Sequence, residues 1–292
     1  MNNYLDKNIE NFLKNIDHID LIRKISDFRK LNIKNMESGE ISKKIMDVLC
    51  FNQRFCYIPQ IRHYPKDTKF FRVRKLEGTT VPLKNLSYLS DFWNPPSGRI
   101  KTYQRLNKPN ESLLYTSLIN PFVAIGEMKI TKDEFYALIV YSAKDIVKVN
   151  CIGAEYNYEN IKIVDKQAIL ANELINNFFI DEFCRDVGIG TEYLYKVSEV
   201  IAKDYFDLPP KVAQDAWLYP SVQNKTMYNV CFRPEIAKEL LKLDGAIIGK
   251  YENNEEIKAV CVTHGFDDKG YAMLYEIGSD VQKEIFPEIK KN

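Results

Sequence analysis

The chain has 292 residues, enough for two domains or for one large domain with a full core. Its 41 Lys and Arg balance 40 Asp and Glu, a formal net charge of +1, which excludes a polybasic nucleic-acid binder and an acidic solvated tail. Hydrophobic residues at 45%, charged residues at 28% and only 12 Gly and 12 Pro exclude collagen-like and linker-dominated chains, leaving a folded enzyme or binding protein.

From Tyr4 to Leu31 the apolar residues Leu5, Ile9, Phe12, Leu13, Ile16, Ile19, Ile22, Ile25 and Phe28 recur at intervals of three and four, the face of one long helix or two short ones. This start lacks the basic and then apolar run of a secretory signal, and no stretch approaches the roughly 20 apolar residues of a membrane helix. A cytoplasmic protein without membrane contact is therefore expected. Ser38-Gly39 breaks the pattern and Ile41, Ile45, Val48 and Leu49 resume it. Residues 1 to about 55 read as helical, and we set the end of this N-terminal region, which holds no convincing chemistry, near residue 60.

The texture then turns to short β-like runs separated by Pro, Asn and Gly: Lys69 to Arg74, a loop through Trp93-Asn94-Pro95-Pro96-Ser97-Gly98, and Ser112 to Tyr115. Asn120-Pro121 before Phe122, Val123, Ala124 and Ile125 predicts a short helix with Asn at the cap, Pro at the first helical position and Glu127 near the end. Phe135 to Tyr141 and Ile146 to Ile152 are strand candidates, followed by helices over Lys166 to Cys184 and Thr191 to Tyr205. Trp217 to Pro220 and Met227 to Phe232 return to strand character. A short helix from Pro234 and strands over Gly245 to Tyr251, Ile257 to His264 and Tyr271 to Ile277 complete the chain. With no repeat or linker, residues 61–292 are expected to form one α+β domain, a mixed β core with flanking helices behind the N-terminal helical extension.

Several chemistries are refused by the sequence. The cysteines Cys50, Cys56, Cys151, Cys184, Cys231 and Cys261 are scattered without a CxxC pair and read as reduced core thiols. His18, His63 and His264 lie far apart, without HExxH or Cys/His spacing, so no metal site is expected. Gly188-Ile189-Gly190 lacks the third glycine and the preceding strand of a dinucleotide fingerprint, and neither a phosphate-binding GxxxxGK nor a GxSxG elbow occurs. Aromatic stripes such as Phe178-Phe179 and Tyr193-Tyr195 read as core.

Charge is uneven. Between Gln60 and Asn110 stand eleven basic residues (Arg62, Lys66, Lys69, Arg72, Arg74, Lys75, Lys84, Arg99, Lys101, Arg105, Lys108) against Asp67, Glu77 and Asp91, a segment charge of +8. Either this is a solvated basic face or a pocket for a small polyanion, and arginines with interleaved Phe and Tyr favour phosphate or pyrophosphate.

Four short patterns recur together in order over about residues 69–235: Phe71-Arg72-Val73-Arg74; Gln104-Arg105-Leu106-Asn107-Lys108-Pro109-Asn110-Glu111-Ser112-Leu113-Leu114-Tyr115-Thr116-Ser117; Ala124-Ile125-Gly126-Glu127; and Tyr219-Pro220-Ser221-Val222-Gln223. In this the chain resembles the RES domain family, named for its Arg, Glu and Ser. The resemblance implies a fold related to ADP-ribosyltransferases and diphtheria-type toxins and activity against NAD. Family members are mostly bacterial toxins that destroy cellular NAD by phosphorolysis or hydrolysis (NAD phosphorylases or NADases), beside an Xre-type antitoxin in a toxin–antitoxin pair, and at least one attaches ADP-ribose to a protein. Carried over, the family arginines fall on Arg72 and Arg105, the aromatic on Tyr115, the acid on Glu127 and the serine on Ser221. Gln104 replaces the usual glycine before the second arginine, whereas Gly98-Arg99 lies six residues upstream, so Arg99 and Arg105 compete for that place. Asn107 supports Arg105. The N-terminal region and the residues beyond Pro234 exceed the compact toxin form.

The chemistry can be argued from the side chains alone. Breaking the nicotinamide–ribose bond builds positive charge on the ribose, which an ionised carboxylate stabilises, and Glu127 is the candidate against the plainer reading of an exposed helix acid. Guanidinium groups bind the two charges of a pyrophosphate in bidentate fashion, the role expected of Arg72 and Arg105, whose alternative is surface ion pairs. Tyr115 offers a flat face for nicotinamide or ribose, or simple core packing. Ser221 offers a hydroxyl to phosphate or to the nicotinamide amide, or a turn hydrogen bond. The expected function is metal-independent NAD cleavage, with NAD as substrate, inorganic phosphate, water or a protein as acceptor, and growth inhibition as its consequence. The alternatives are ADP-ribosyl transfer to a protein and a non-catalytic module that grips a nucleotide or partner.

Overall fold

In the computed structural model the N-terminal apolar run folds as two helices, α1 (Asn2–Lys14) and α2 (His18–Arg29), because Asp17 interrupts it. The Asp17 carboxylate accepts from the amides of Ile19 and Asp20 at 2.9 and 3.2 Å, satisfying donors that a continuous helix would have used internally. The structure describes residues 2–55, 57–78, 86–153, 155–222, 227–252 and 257–290, with side chains from residue 7 onward. Cys56, Lys84, Gln223 and the Leu5 side chain lie outside the described residues.

The elements that follow are α3 (Ser38–Leu49), β1 (Cys50–Phe51), β2 (Arg54–Phe55), β3 (Ile61–Tyr64), β4 (Lys69–Lys75), β5 (Leu114–Leu118), α4 (Pro121–Glu127), β6 (Phe135–Ala143) and β7 (Val147–Cys151). Then come α5 (Lys166–Phe183), α6 (Tyr195–Val200), β8 (Ala216–Pro220), β9 (Tyr228–Phe232), α7 (Pro234–Leu240), β10 (Leu241–Lys250), β11 (Lys258–Phe266), β12 (Ala272–Glu276) and α8 (Asp280–Ile285). Ser38-Gly39 opens α3 instead of breaking a helix. The break falls earlier, at the 3₁₀ turn Ile33–Asn35, and the Glu37 amide is met by the Glu40 carboxylate at 2.9 Å. The single helix expected over 191–205 is a 3₁₀ turn, α6 and a π-helical turn, Ile201–Tyr205.

Contacts divide the chain into two units. The first, residues 1–61, 101–109 and 150–208, joins the N-terminal helices to α5 and α6. Leu13, Leu21, Ile25, Ile41 and Ile45 are buried, and so are Phe178 and Phe179, whereas Tyr193 and Tyr195 are only half-buried. Phe28 meets Phe178 edge-on at 5.2 Å, and Phe179 meets Phe206 likewise at 5.0 Å. Glu182, its side chain 1% exposed, is neutralised by Arg29 Nε at 3.0 Å and by Arg185.

The second unit, residues 62–100, 110–149 and 209–292, is built on the sheet. The chain is α+β, with a ten-stranded sheet in the order β12-β11-β10-β6-β4-β5-β9-β8-β7-β3 and flanking helices. β10 starts at Leu241, earlier than its sequence suggests, because Leu241 and Leu243 pair with Ala143 and Tyr141 of β6. A bulge between Leu243 and Gly245 fixes the local register. Gly245 has φ 146°, and a Cβ there would come within 2.2 Å of the Thr263 carbonyl, so only glycine fits. β5 begins and ends later than expected, at Leu114 and Leu118, because its residues pair with β9 from Leu114–Phe232 to Ser117–Asn229. One face of β4, β6, β10 and β11 (Val73, Leu138, Val140, Ile247, Val262) packs on Ala124 and Ile125 of α4 and on Phe286. None of the described cysteines is in a disulfide, and all but Cys50 are buried. Among the described residues no helix is long and apolar enough to cross a membrane, and no cluster of His, Cys, Asp and Glu could hold a metal.

Candidate functional site

The site is built from the turn that joins β5 to α4. Ile119, exposed and at φ 67°, takes a left-handed conformation that β-branched residues rarely adopt, so the chain reverses sharply there. Asn120 then caps α4, its side-chain oxygen accepting from the Phe122 amide at 2.9 Å, and Pro121 supplies the first helical φ. Val123, Ala124 and Ile125 bury the helix against the sheet, and Glu127, half-buried, is its last residue.

Glu127 meets Ser221. The serine Oγ donates to Glu127 Oε1 at 2.5 Å, and Asn229 Nδ2 donates to the same oxygen at 3.1 Å. Ser221 is fully buried just after β8, and Asn229 is 6% exposed in β9, where it lies opposite both Ser117 of β5 and Tyr219 of β8. Tyr115, half-buried, is opposite Cys231. Strand alternation puts it on the same face as Ser117, and so on the face of Asn229. No cation pairs with Glu127 among the described residues.

Arg72 lies elsewhere. Phe70 pairs with Leu118 and Phe71 with Ser117, and beyond these two rungs β4 and β5 part. Arg72 is the first residue past the last rung. Alternation places Arg72 and Arg74 on the face of β4 opposite Val73, and Val73 is the residue that packs on α4. There Arg72 Nη1 approaches the Asp91 carbonyl at 3.5 Å and also bonds Tyr141. Burial pushes the Tyr141 hydroxyl up to about 12, with Arg72 opposing the shift, and that hydroxyl donates to the Phe92 carbonyl.

Arg74 donates to the same Asp91 carbonyl at 2.7 Å and pairs with its carboxylate at 3.2 Å. Burial lowers the Arg74 guanidinium from its ordinary value. Asp91 opposes this, while the charges of Arg72 and Arg99 add to it. The Asp91 carboxyl is held below the usual range: burial works against this, but the amides of Tyr88 and Ser87 and then Arg74 outweigh burial. Asp91 is thus paired with Arg74 and its carbonyl is approached by Arg72, while Arg99, exposed on the 3₁₀ turn Ser97–Arg99, acts on the Arg74 charge. Elsewhere in the basic segment, Lys69 pairs with Asp244 at 2.8 Å and Lys75 with Glu134.

Arg105 and Asn107 belong to the first unit. The Arg105 guanidinium donates to the Phe183 carbonyl and lies over the rings of Tyr195 and Phe183, at 5.2 and 5.9 Å. Asn107 is fully buried, and its carbonyl accepts from the Gln104 amide at 2.8 Å.

The structure therefore joins Glu127 to Ser221, sets Tyr115 on the same sheet face as Asn229, and engages Arg72 and Arg74 with Asp91 on the other face of β4. Asn229 is the residue that sequence reasoning missed. Its signal was an amide side chain inside a strand, where Asn is depleted, but only the β5–β9–β8 register aims it at Glu127. A separate cavity of about 560 Å³, lined by His63, Asp145, Lys148, Lys211, Asp215 and Glu239 among others, holds none of the predicted site residues. Comparison with protein-family models, with curated proteins and with solved structures finds no match for this chain.

Proposed function

We propose that this chain is an NAD-consuming enzyme of RES type with an ADP-ribosyltransferase-like fold, in which Glu127 drives cleavage of the nicotinamide–ribose bond. The observation that carries the reading is the contact between Glu127 and Ser221. The two residues are 94 positions apart, belong to separate motifs, and meet at 2.5 Å. A carboxylate held by neutral donors keeps its full negative charge, which an oxocarbenium-like ribose needs and a carboxylate already paired with a cation could not offer.

In the step itself the bond between the anomeric carbon and the pyridinium nitrogen breaks, and its electron pair leaves with nicotinamide, which departs neutral. Glu127 stabilises the cationic ribose, and an acceptor oxygen closes on the same carbon: an ionised phosphate oxygen directly, or water, which releases one proton to solvent. Phosphate as acceptor gives a phosphorylated ADP-ribose, and water gives ADP-ribose. Tyr115 offers its ring to nicotinamide or ribose. Arg72 and Arg74, on the other face of β4 from α4, are engaged with Asp91 and in this reading have no part in holding the pyrophosphate. A growth-limiting role and an antitoxin partner belong to the same proposal.

The test is chromatography of NAD incubated with the purified chain, with and without inorganic phosphate, together with labelled NAD and gel analysis of protein. Loss of NAD with release of nicotinamide is expected. NAD that survives intact overturns the reading, and label recovered on protein redirects it to ADP-ribosyl transfer.

A further inference from the structure

We infer that Asn229 is a positioning residue for Glu127: together with Ser221 it fixes Oε1, so that Oε2 is the oxygen presented to substrate. This inference rests on the NAD-cleavage reading and specifies which atom of the acid works.

Both donors converge on one oxygen, at 2.5 Å from Ser221 and 3.1 Å from Asn229, and among the described residues nothing donates to Oε2. An ionised carboxylate only accepts, so the Asn229 amide must turn its NH₂ group toward Glu127. That orientation is held in place. Asn229 sits in an interior strand of the sheet, laddered to Ser117 on one side and Tyr219 on the other, and both donors are buried. Donors fixed before substrate arrives cost no reorganisation during reaction, and two bonds on one oxygen set the rotation of the carboxylate about its last torsion. Because Asn and Ser are neutral, they orient the acid without cancelling its charge.

The titratable residues that strand alternation sets on the sheet face carrying Asn229 and α4 are Lys75 of β4, Tyr115 of β5, Tyr136 of β6, Tyr219 of β8 and Cys231 of β9, and exposed Lys129 lies just past α4. Lys75 is paired with Glu134. A difference in the acid limb of the pH–rate profile between the wild type and an Asn229 variant therefore reports the carboxylate that Asn229 contacts.

The experiment measures kcat and KM for NAD from pH 4.5 to 8 (roughly the span over which a carboxylate limb shows) in the wild type, N229A and N229D, each checked by thermal melting. N229A is expected to lower kcat about 10- to 100-fold with little change in KM, and to move the acid limb to higher pH, because a donor to the charged form is gone. N229D keeps the shape but faces Glu127 with a second carboxylate. Its acid limb should move up by about one pH unit or more, with activity partly recovered at higher pH. Wild-type kcat and an unmoved limb in either folded variant overturn the inference while leaving the proposed function intact. A wild type that does not cleave NAD at all overturns the proposed function instead.

Discussion

Two buried or half-buried acids, one in each unit, show how the same side chain serves different ends. Glu182 of α5 is sealed from water and has a guanidinium on each oxygen, from Arg29 and Arg185, so its charge is spent inside the first unit. Glu127 of α4 is held by a hydroxyl and an amide on one oxygen only, so its charge is oriented but not cancelled. An acid saturated by cations ties helices together, whereas one held by neutral donors remains able to meet a developing cation. Edge-on aromatic pairs pack the cores of both units, Phe28 with Phe178 in the first and Phe70 with Phe232 in the second, while Tyr115 stays half-buried on the sheet face that also carries Asn229.

The strongest way to break this comparison is to neutralise both acids. E127Q should leave the melting temperature within a few degrees of wild type and reduce NAD turnover by at least about 1,000-fold, as loss of a charge acting on the transition state does. Turnover within about tenfold of wild type would remove Glu127 from the chemistry. E182A should do the reverse, costing about 2–3 kcal/mol in denaturant titration because two guanidinium groups lose their buried partner, with kcat unchanged in the folded fraction. An E182A protein as stable as wild type would contradict its role as a tie.

The arginines sharpen the picture next. R72A, which removes a donor to the Asp91 carbonyl on the other face of β4 from Glu127, should cost about 1 kcal/mol of stability and leave KM for NAD unchanged. R99A, at an exposed position, should change neither. R105A, whose guanidinium is already engaged by the Phe183 carbonyl and the Tyr195 ring, should lower stability and leave KM alone. A KM for NAD that rises with R72A or R105A would place that arginine at the substrate instead. N120A, which removes the cap of α4, should likewise cost about 1 kcal/mol in thermal or chemical unfolding.

Much of this protein was legible in its residue order. The caps and periodicity around Asn120-Pro121 located α4 to within a residue, since a side-chain acceptor and a fixed φ act over a few positions and need no distant partner. Alternating β-branched and aromatic runs located most strands for the same reason. Strand ends were less legible: β10 and β5 are set by their ladders with β6 and β9, which local preference does not encode. The long apolar run near the start also left open one helix or two until the Asp17 cap was seen to close on Ile19 and Asp20.

An acid, a serine, an aromatic and several arginines can be named as candidates from residue identity, because charge, hydroxyl and ring belong to the side chains. Which of them meet depends on the fold. Strand register turned Asn229 and Ser221 toward one oxygen of Glu127, and strand alternation sent Arg72 to the other face of β4 with Arg74 and Asp91. Shifting a strand by one residue exchanges its two faces, so these neighbours are fixed by pairings between segments far apart in the chain.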